Sequence, residues 1–248
     1  GVPSGGIQDL GEFEQLPLTD KETVRQEKDR FLADDRPRDL AAVNTGGSTG
    51  EPLAYYMGQD AFAGNQAAIW RSRRWWGLEP GQPNILLWGH SASFQPGWKG
   101  KFVRFSRPVK DWFLNRRTFS AYDLSPETLA RCWEAAGQMK PVYIRGYTSS
   151  LYFWAQLIVK KGLEDQVWNG LKAVICTSEV LYDWQREVIE KAFGCPAVNE
   201  YGANESGMIA YSCPEGSLHL MDENLYVELI PSNVSTREQF GEVVITQL

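Results

Sequence analysis

Hydrophobic residues along this chain form short apolar runs that alternate with longer stretches of helical periodicity up to about residue 200. The apolar runs predict strands at Leu40–Asn44, Asn84–Trp88, Val142–Arg145, Leu171–Cys176 and Ala197–Glu200. The periodic stretches predict helices at Gln59–Trp76, Pro126–Gly137, Ser149–Lys161 and Tyr182–Phe193. A capping box from Thr19 to Glu22 predicts a further, charged helix that ends near Phe31. Because alternating strands and helices require crossover connections, the pattern predicts a largely parallel sheet with flanking helices.

The pattern changes after Gly202, where short apolar runs follow one another without a helix between them. These runs predict strands at Met208–Tyr211, Ser217–Met221, Leu225–Ile230 and Glu242–Thr246. We therefore predict an α/β fold that has an α/β core at residues 1–200 and an antiparallel, β-rich continuation at residues 201–248. The last run, GEVVITQL, stops within or at the end of a predicted strand, so we expect a fragment, a truncated gene product or one piece of a split protein.

Composition and charge narrow the classes of function. The chain has 248 residues, of which 43% are hydrophobic, and its net charge of −6 gives no general attraction to nucleic acid or to anionic membranes. No apolar run approaches the roughly 20 residues that span a bilayer. The first residues do not form a signal peptide, so we expect a cytoplasmic protein without a membrane partner.

Two other features leave alternatives open. Residues 98–117 mix basic and aromatic side chains, which suits a ligand phosphate better than nucleic acid because the whole chain is acidic. The four cysteines are widely separated, which favours buried, reduced thiols over a disulfide framework. Cys213 and His219 are candidates for a zinc site, but they supply only two of the four ligands that zinc needs.

A glycine-rich loop follows the first predicted strand. The sequence Asn44–Pro52, NTGGSTGEP, places hydroxyl groups between glycines whose amides are free to approach a ligand closely. Such a concavity suits phosphate oxygens. The loop has neither the Gly-Lys-Ser/Thr ending of a Walker loop nor the following helix of a dinucleotide-binding motif, and an ordinary hairpin turn is the alternative interpretation.

A second polar cluster follows the predicted strand Ala197–Glu200, at the carboxyl end where α/β proteins bind ligands. Tyr201 offers a flat face to a base or an aromatic acid, and Gly202 permits close approach of the backbone. Glu205 is a hard oxygen ligand of the kind that magnesium prefers. The alternative is that Tyr201 and Gly202 form a turn and that Glu205 is a solvated charge.

Together these motifs resemble those of the adenylate-forming enzymes. Thr45–Pro52 is similar to their phosphate loop, and Tyr201–Glu205 is similar to their Tyr-Gly-x-Thr-Glu motif. Between them, Ile144–Ala155 and Cys176–Gly194 resemble conserved blocks of the phenylacetate–CoA ligase and CapK-like branch. The order and the spacing of the four blocks also fit this branch, whose large domain has the α/β architecture predicted above.

The resemblance implies a function and a set of site residues. It implies that a carboxylic acid attacks ATP to form an acyl-adenylate, with magnesium at Glu205 and with coenzyme A or another thiol as the acceptor. The nucleotide-binding residues that it implies are Thr45, Gly46, Gly47, Ser48, Thr49, Gly50, Ser178, Glu179, Tyr201, Gly202 and Asn204. The residues that it places beside the acyl pocket are Tyr147, Ser149, Tyr152 and Ala203. The tyrosines are compatible with an aryl or arylacetic acid, but core packing explains them equally well.

The chain also departs from the family pattern. Asn204 stands where relatives commonly have threonine, and Leu53 stands where many relatives have a lysine that faces the phosphates. The ribose-binding aspartate, the arginine that follows it and the catalytic lysine of a C-terminal lid domain have no counterpart in this sequence. Two alternatives follow: a catalytically incomplete nucleotide-binding module, completed by a lid domain or a partner chain, or a protein of polysaccharide assembly that does not bind ATP.

Overall fold

The computed structural model of the chain describes residues 9–32, 40–44, 53–89, 108–231 and 241–248. The predicted phosphate loop at Thr45–Pro52 therefore lies outside the described residues, as does the first half of the basic segment at residues 98–117. The residues group into two compact units. The first unit comprises Gly1–Ala68, Ala203–Ile209 and Met221–Leu248, and the second comprises Ile69–Gly202 and Ala210–Leu220. The predicted division into a core at residues 1–200 and a β-rich continuation at residues 201–248 describes functional parts of the chain, so it stays a prediction.

The strands fall into one large sheet and two hairpins. The described strands are β1 (Ala41–Asn44), β2 (Ala54–Met57), β3 (Asn84–Trp88), β4 (Arg116–Ser120), β5 (Tyr143–Tyr147), β6 (Ala173–Thr177), β7 (Ala197–Ala203), β8 (Gly207–Ser212), β9 (Leu218–Leu220), β10 (Leu225–Pro231) and β11 (Gly241–Gln247). The large sheet has the order β4-β3-β5-β6-β7-β8-β9, in which β4, β3, β5, β6 and β7 run parallel and β8 pairs with β9 antiparallel. The predicted architecture, a largely parallel sheet followed by antiparallel strands, is confirmed.

α-Helices with defined bounds accompany these strands. They are α1 (Lys21–Glu27), α2 (Gln59–Arg74), α3 (Pro126–Met139), α4 (Thr148–Lys161) and α5 (Asp183–Phe193). Local chemistry fixes several of their ends. Ser125 caps α3, because its Oγ accepts a hydrogen bond from the amide of Thr128 at 3.3 Å, and Pro126 opens the first turn. Gly162 and Gly194 end α4 and α5 in the left-handed conformation.

The main core of the second unit lies between the parallel strands and helices α3, α4 and α5. The central strands are apolar on both faces, as expected of a parallel sheet covered by helices, and every residue of β6 is buried. Trp154 of α4 packs edge-to-face against Phe193 of α5, with the ring centroids 5.2 Å apart, and both side chains are almost fully buried. This packing holds the sheet and the helices that follow its carboxyl edge in one rigid layer structure.

The first unit is built from two hairpins and from helical segments. Strand β1 pairs antiparallel with β2, and β10 pairs antiparallel with β11. Phe13 stacks on Tyr226 of β10 at a centroid distance of 4.9 Å. Asn65 of α2 accepts a hydrogen bond from the amide of Met208 at 2.8 Å, which holds the start of β8 to that helix.

The structure corrects two details of the predicted elements. Strand β4 was not predicted, because its sequence RRTFS carries two arginines and a short apolar pattern. The predicted cap of the first helix at Thr19 is wrong by one residue. Asp20 is the cap, because its carboxylate accepts hydrogen bonds from both the amide and the hydroxyl of Thr23, at 2.8 and 2.7 Å. None of the described helices combines the length and the apolar character that are needed to cross a membrane.

Candidate functional site

The predicted site residues of the second unit follow three neighbouring parallel strands. Tyr147 of β5, Thr177 of β6 and Glu200 of β7 lie side by side in the sheet register. The chain continues from these strands into the predicted acyl-pocket residues Ser149 and Tyr152, the predicted adenine-lining residues Ser178 and Glu179, and the pair Tyr201 and Gly202. The structure therefore brings these segments together at the carboxyl edge of the sheet, where α/β proteins bind ligands.

Hydrogen bonds join two of these segments directly. The Glu179 carboxylate accepts a hydrogen bond from the Ser149 amide at 2.7 Å and another from the Ser149 hydroxyl at 3.0 Å. The hydroxyl of Thr148 donates to the backbone carbonyl of Glu179 at 3.2 Å. Helix α4 has no side-chain cap from its own Tyr147, so Glu179 satisfies this helix terminus from another loop. Ser178, one residue earlier, has a positive φ of 66°.

The aromatic residues at this edge differ in exposure. Tyr147 packs against Trp88 with the ring centroids 4.7 Å apart, and burial raises the pKa of its hydroxyl. The hydroxyl of Tyr152 accepts a hydrogen bond from Gln156 at 2.8 Å, and its ring meets Trp184 edge-on. Tyr201 is 43% exposed, so its ring is available to a ligand.

A buried ion-pair cluster lies directly beneath Tyr201. The side chain of Glu200 is only 3% exposed, and its Oε2 is 3.2 Å from the guanidinium of Arg73. Its Oε1 accepts hydrogen bonds from Nε of Arg145, at 2.8 Å, and from a terminal nitrogen of the same guanidinium. Burial opposes the ionisation of Glu200, but the charges of Arg145 and Arg73 outweigh this effect and lower its pKa. The guanidinium of Arg145 also lies 4.7 Å from the ring centroid of Trp88.

In the first unit, the hairpin that carries the predicted phosphate loop contacts the second motif. Strands β1 and β2 pair as far as Asn44 and Ala54, and residues 45–53 connect them. The hydroxyl of Tyr55, next to Ala54, donates a hydrogen bond to the backbone carbonyl of Asn204. Burial and, less strongly, the negative charge of Glu205 raise the pKa of Tyr55. Strand β2, which follows the glycine-rich sequence, therefore contacts the second motif through Tyr55.

Glu205, the predicted magnesium ligand, forms an ion pair within the first unit. Its Oε1 is shielded from solvent. The ammonium group of Lys21 lies 3.2 Å from this oxygen, and the Glu205 side chain is 30% exposed. A magnesium ion at this carboxylate would have to displace the Lys21 ammonium, so the magnesium role of Glu205 stays a prediction.

Other candidate groups have structural partners. Cys213 is buried, and His219 on β9 packs edge-on against Trp75 at 5.4 Å. Within the described ranges, no three His, Cys, Asp or Glu side chains cluster as metal ligands would, so the zinc alternative gains no support there. At the end of the basic segment, Arg116 binds the carboxylate of Asp111 at 2.8 Å.

Sequence patterns did not predict the Glu200 cluster or the Lys21–Glu205 pair. The sequence does contain a signal for the Glu200 cluster. Arg145 and Glu200 are single charges in the apolar runs that predict two buried strands, and isolated buried charges of opposite sign indicate an ion pair. Lys21 lies far from Glu205 in the sequence, and no sequence signal distinguishes it from the other charged residues of its helix.

Comparison with solved structures places the fold in a known class. An open conformation of 2-hydroxyisobutyryl-CoA ligase, in complex with 2-HIB-AMP and CoA, superposes with a TM-score of 0.66 at 19% identity, over 97% of this chain and 57% of the ligase. Malonyl-CoA ligase, in a ternary product complex with methylmalonyl-CoA and AMP, gives 0.54 at 16% identity, over 83% of this chain and 43% of that chain. ATP-bound MatB from Rhodopseudomonas palustris gives 0.56 at 14% identity, over 86% and 41%. The fold of the chain is similar to that of the corresponding parts of these solved structures.

A sequence comparison adds a curated relative. Protein CapK of Staphylococcus aureus is 26% identical over 217 residues, which are 88% of this chain and 46% of CapK. No family model matches the chain. The chain is thus similar in sequence to CapK and similar in fold to the CoA ligases above. It spans about half the length of these relatives.

Proposed function

We propose that this chain forms the nucleotide-binding core of an enzyme that uses ATP to activate a carboxylic acid as an acyl-adenylate. The contact between Tyr55 and Asn204 carries this proposal, because it joins the strand that follows the glycine-rich sequence to the end of the second motif within the first unit. The two residues are separated by 149 positions in the sequence. The exposed position of Asn204 leaves its side chain available to a ligand.

The proposed roles follow from the chemistry of each group. Amides and hydroxyls of residues 45–50 would bind the β- and γ-phosphates, and Glu205 would hold Mg²⁺ against the same phosphates. Ser178, Glu179, Tyr201 and Gly202 would line the adenine, and Asn204 would donate to a phosphate oxygen. Tyr147, Ser149, Tyr152 and Ala203 would border the acyl group, for which an aryl or arylacetic acid is the proposed class.

The proposed reaction is a substitution at the α-phosphorus. A carboxylate oxygen forms a new bond to this phosphorus, the bond to the bridging oxygen of the β-phosphate breaks, and pyrophosphate leaves with the bonding electrons. Such a step requires in-line positioning and neutralisation of charge rather than a protein nucleophile. In the whole protein, the acyl group would then pass from the adenylate to the sulfur of coenzyme A or another thiol, with release of AMP.

Calorimetric titration of the chain with ATP in the presence of Mg²⁺ tests the proposal. We expect saturable binding by the wild type and binding that is about tenfold weaker in Glu205→Gln, because the substitution removes the charge that faces the metal. Glu187→Gln is the matched control, since Glu187 is an exposed carboxylate on α5, and it should bind as the wild type does.

A second assay measures pyrophosphate release from ATP with phenylacetate or benzoate as the acid. Release that depends on the acid supports the full reaction. Binding without release favours the incomplete module over a self-sufficient enzyme. If the wild-type chain bound no ATP at all, the proposal would be wrong.

A further inference from the structure

We infer that Glu179 is a positioning residue that couples the predicted adenine-lining loop to the predicted acyl pocket. This inference rests on the proposed function. It assigns the Glu179 side chain a role different from that of a direct nucleotide ligand, and it makes Ser149 a determinant of ATP affinity. The adenine-lining loop is defined here as residues 178–180, and the pocket helix end as residues 148–152.

The geometry of the carboxylate carries the inference. Each oxygen of Glu179 already accepts one hydrogen bond from Ser149, from the amide at 2.7 Å and from the hydroxyl at 3.0 Å. A third bond, from the hydroxyl of Thr148 to the backbone carbonyl of Glu179, runs in the same direction at 3.2 Å. Three donors of the pocket helix end thus converge on one residue of the adenine-lining loop. Bonds to an ionised acceptor are about twice as strong as neutral ones.

On both sides of the contact between Glu179 and Ser149, the local conformation depends on these hydrogen bonds. Ser178 has a φ of 66°, in the left-handed region that a residue with a Cβ adopts only when its surroundings hold it there. On the other side of the contact, Thr148 is completely buried, and the N-terminus of α4 has no cap from its own segment. Loss of the Glu179 carboxylate would therefore release the strained loop and uncap the pocket helix end at the same time.

A coupling follows from this arrangement. A nucleotide that packs against residues 178–180 stabilises the loop conformation that Glu179 needs to reach Ser149, so it also orders residues 148–152. Reciprocally, a ligand that orders the pocket helix end favours the loop conformation that binds adenine. The acid and ATP would then bind with positive cooperativity, although they contact different segments.

Hydrogen exchange of the wild-type chain, with and without ATP and Mg²⁺, measures the coupling, and calorimetry measures ATP affinity. In the wild type we expect ATP to slow exchange at residues 148–152 as well as at residues 178–180. Glu179→Ala should raise the Kd for ATP about tenfold and abolish the protection at residues 148–152. Ser149→Ala, which removes one of the two bonds to the carboxylate, should raise the Kd about threefold. The double variant should be no worse than Glu179→Ala alone.

Two further variants separate positioning from other causes. Glu179→Gln keeps the shape, and its amide can accept from the Ser149 amide and donate to the hydroxyl, so it should recover most of the affinity that Glu179→Ala loses. Glu187→Ala removes an exposed carboxylate from α5 and should change neither measurement. If Glu179→Ala does not fold, Ser149→Ala and Glu179→Gln still test the inference.

The outcomes distinguish this inference from the proposed function. If the wild type binds ATP, but Ser149→Ala has wild-type affinity and ATP leaves exchange at residues 148–152 unchanged, Glu179 does not couple the two segments and the inference is overturned. The proposed function survives that result. If the wild type binds no ATP, the proposed function fails first, and the coupling inferred from it fails as well.

Discussion

Replacement of Glu200 by glutamine tests the ion-pair cluster beneath Tyr201. The substitution keeps the size of the side chain and removes its charge, so Arg73, whose side chain is 10% exposed, keeps a buried positive charge without a counter-charge. It also directs an amide N–H group towards a guanidinium that can only donate. Breaking one partner of a buried ion pair costs about 3–5 kcal/mol, a large part of the total stability of a domain.

Urea denaturation, followed by tryptophan fluorescence, measures this loss directly. We expect Glu200→Gln to lower the free energy of unfolding by about 3–5 kcal/mol at pH 7, and Arg73→Met to lower it less, because Glu200 then keeps both bonds to Arg145. The exposed control Glu187→Gln should change it by less than about 0.5 kcal/mol.

The pH dependence of the same measurement gives an independent check. Because the folded pKa of Glu200 lies below its ordinary value of 4.5, its stabilisation is fully present above pH 4.5. It is lost as the pH falls through the folded pKa, so the difference between wild type and Glu200→Gln should shrink below pH 4.5. A loss under about 1 kcal/mol for Glu200→Gln, or a larger loss for Arg73→Met, would refute the proposed importance of this carboxylate.

Two further predictions concern the core. Gly146→Ala should destabilise the protein by about 1–3 kcal/mol, because a Cβ at this position would lie 2.9 Å from both the Cβ and the carbonyl oxygen of Leu87, whereas Gly137→Ala, in open space on α3, should stabilise it by about 0.5–1 kcal/mol. Equal effects of the two substitutions in denaturation would contradict the close approach of β3 and β5. Burial raises the pKa of Cys132, Cys176 and Cys195 to about 12, so a thiol reagent at pH 8 should modify these cysteines only after unfolding. Rapid labelling of any of the three in the native protein, located by mass spectrometry, would show that this part of the core opens.

Hydrophobic patterning predicted the central parallel strands β3, β5, β6 and β7 because each is a short apolar run near helices with clear end signals. Strand β3 matches its predicted bounds at Asn84–Trp88, and α3 begins at the predicted Pro126. Strand β4 escaped prediction because it is an edge strand of the sheet, where one side faces away from the core and arginines are tolerated. An edge strand is specified by its neighbour β3 rather than by its own composition.

The candidate site was also predictable only in part, because some of its contacts are specified by neighbouring segments rather than by the local sequence. Residues that follow consecutive strands of a parallel sheet must converge at its carboxyl edge, so the positions of Ser178 and Tyr201 follow from topology. The hydrogen-bond partners of the residues next to them do not follow from topology. Glu179 sits in a loop whose sequence, TSEV, contains nothing that specifies Ser149, and the contact exists because β5 and β6 end in register. Likewise, the bond from Tyr55 to Asn204 depends on the packing of a hairpin that the sequence shows only as two apolar runs.

The orientation of Tyr201 follows from the residue before it. Successive side chains of a strand point to opposite faces, so burial of Glu200 forces the Tyr201 side chain outwards. The ion pairs of Glu200 with Arg73 and Arg145 hold β7 in this register, since a slip by one residue would bury Tyr201 and expose the carboxylate while leaving both arginines unpaired. Glu200→Gln should therefore weaken ATP binding more than its loss of global stability requires, because the amide no longer fixes the strand end that presents Tyr201 and Gly202. Tyr201→Ala in the wild-type background measures the part of that effect that the ring itself contributes. If Glu200→Gln leaves the affinity for ATP unchanged at a pH and temperature where the variant is fully folded, the ion pairs stabilise the sheet without orienting the site.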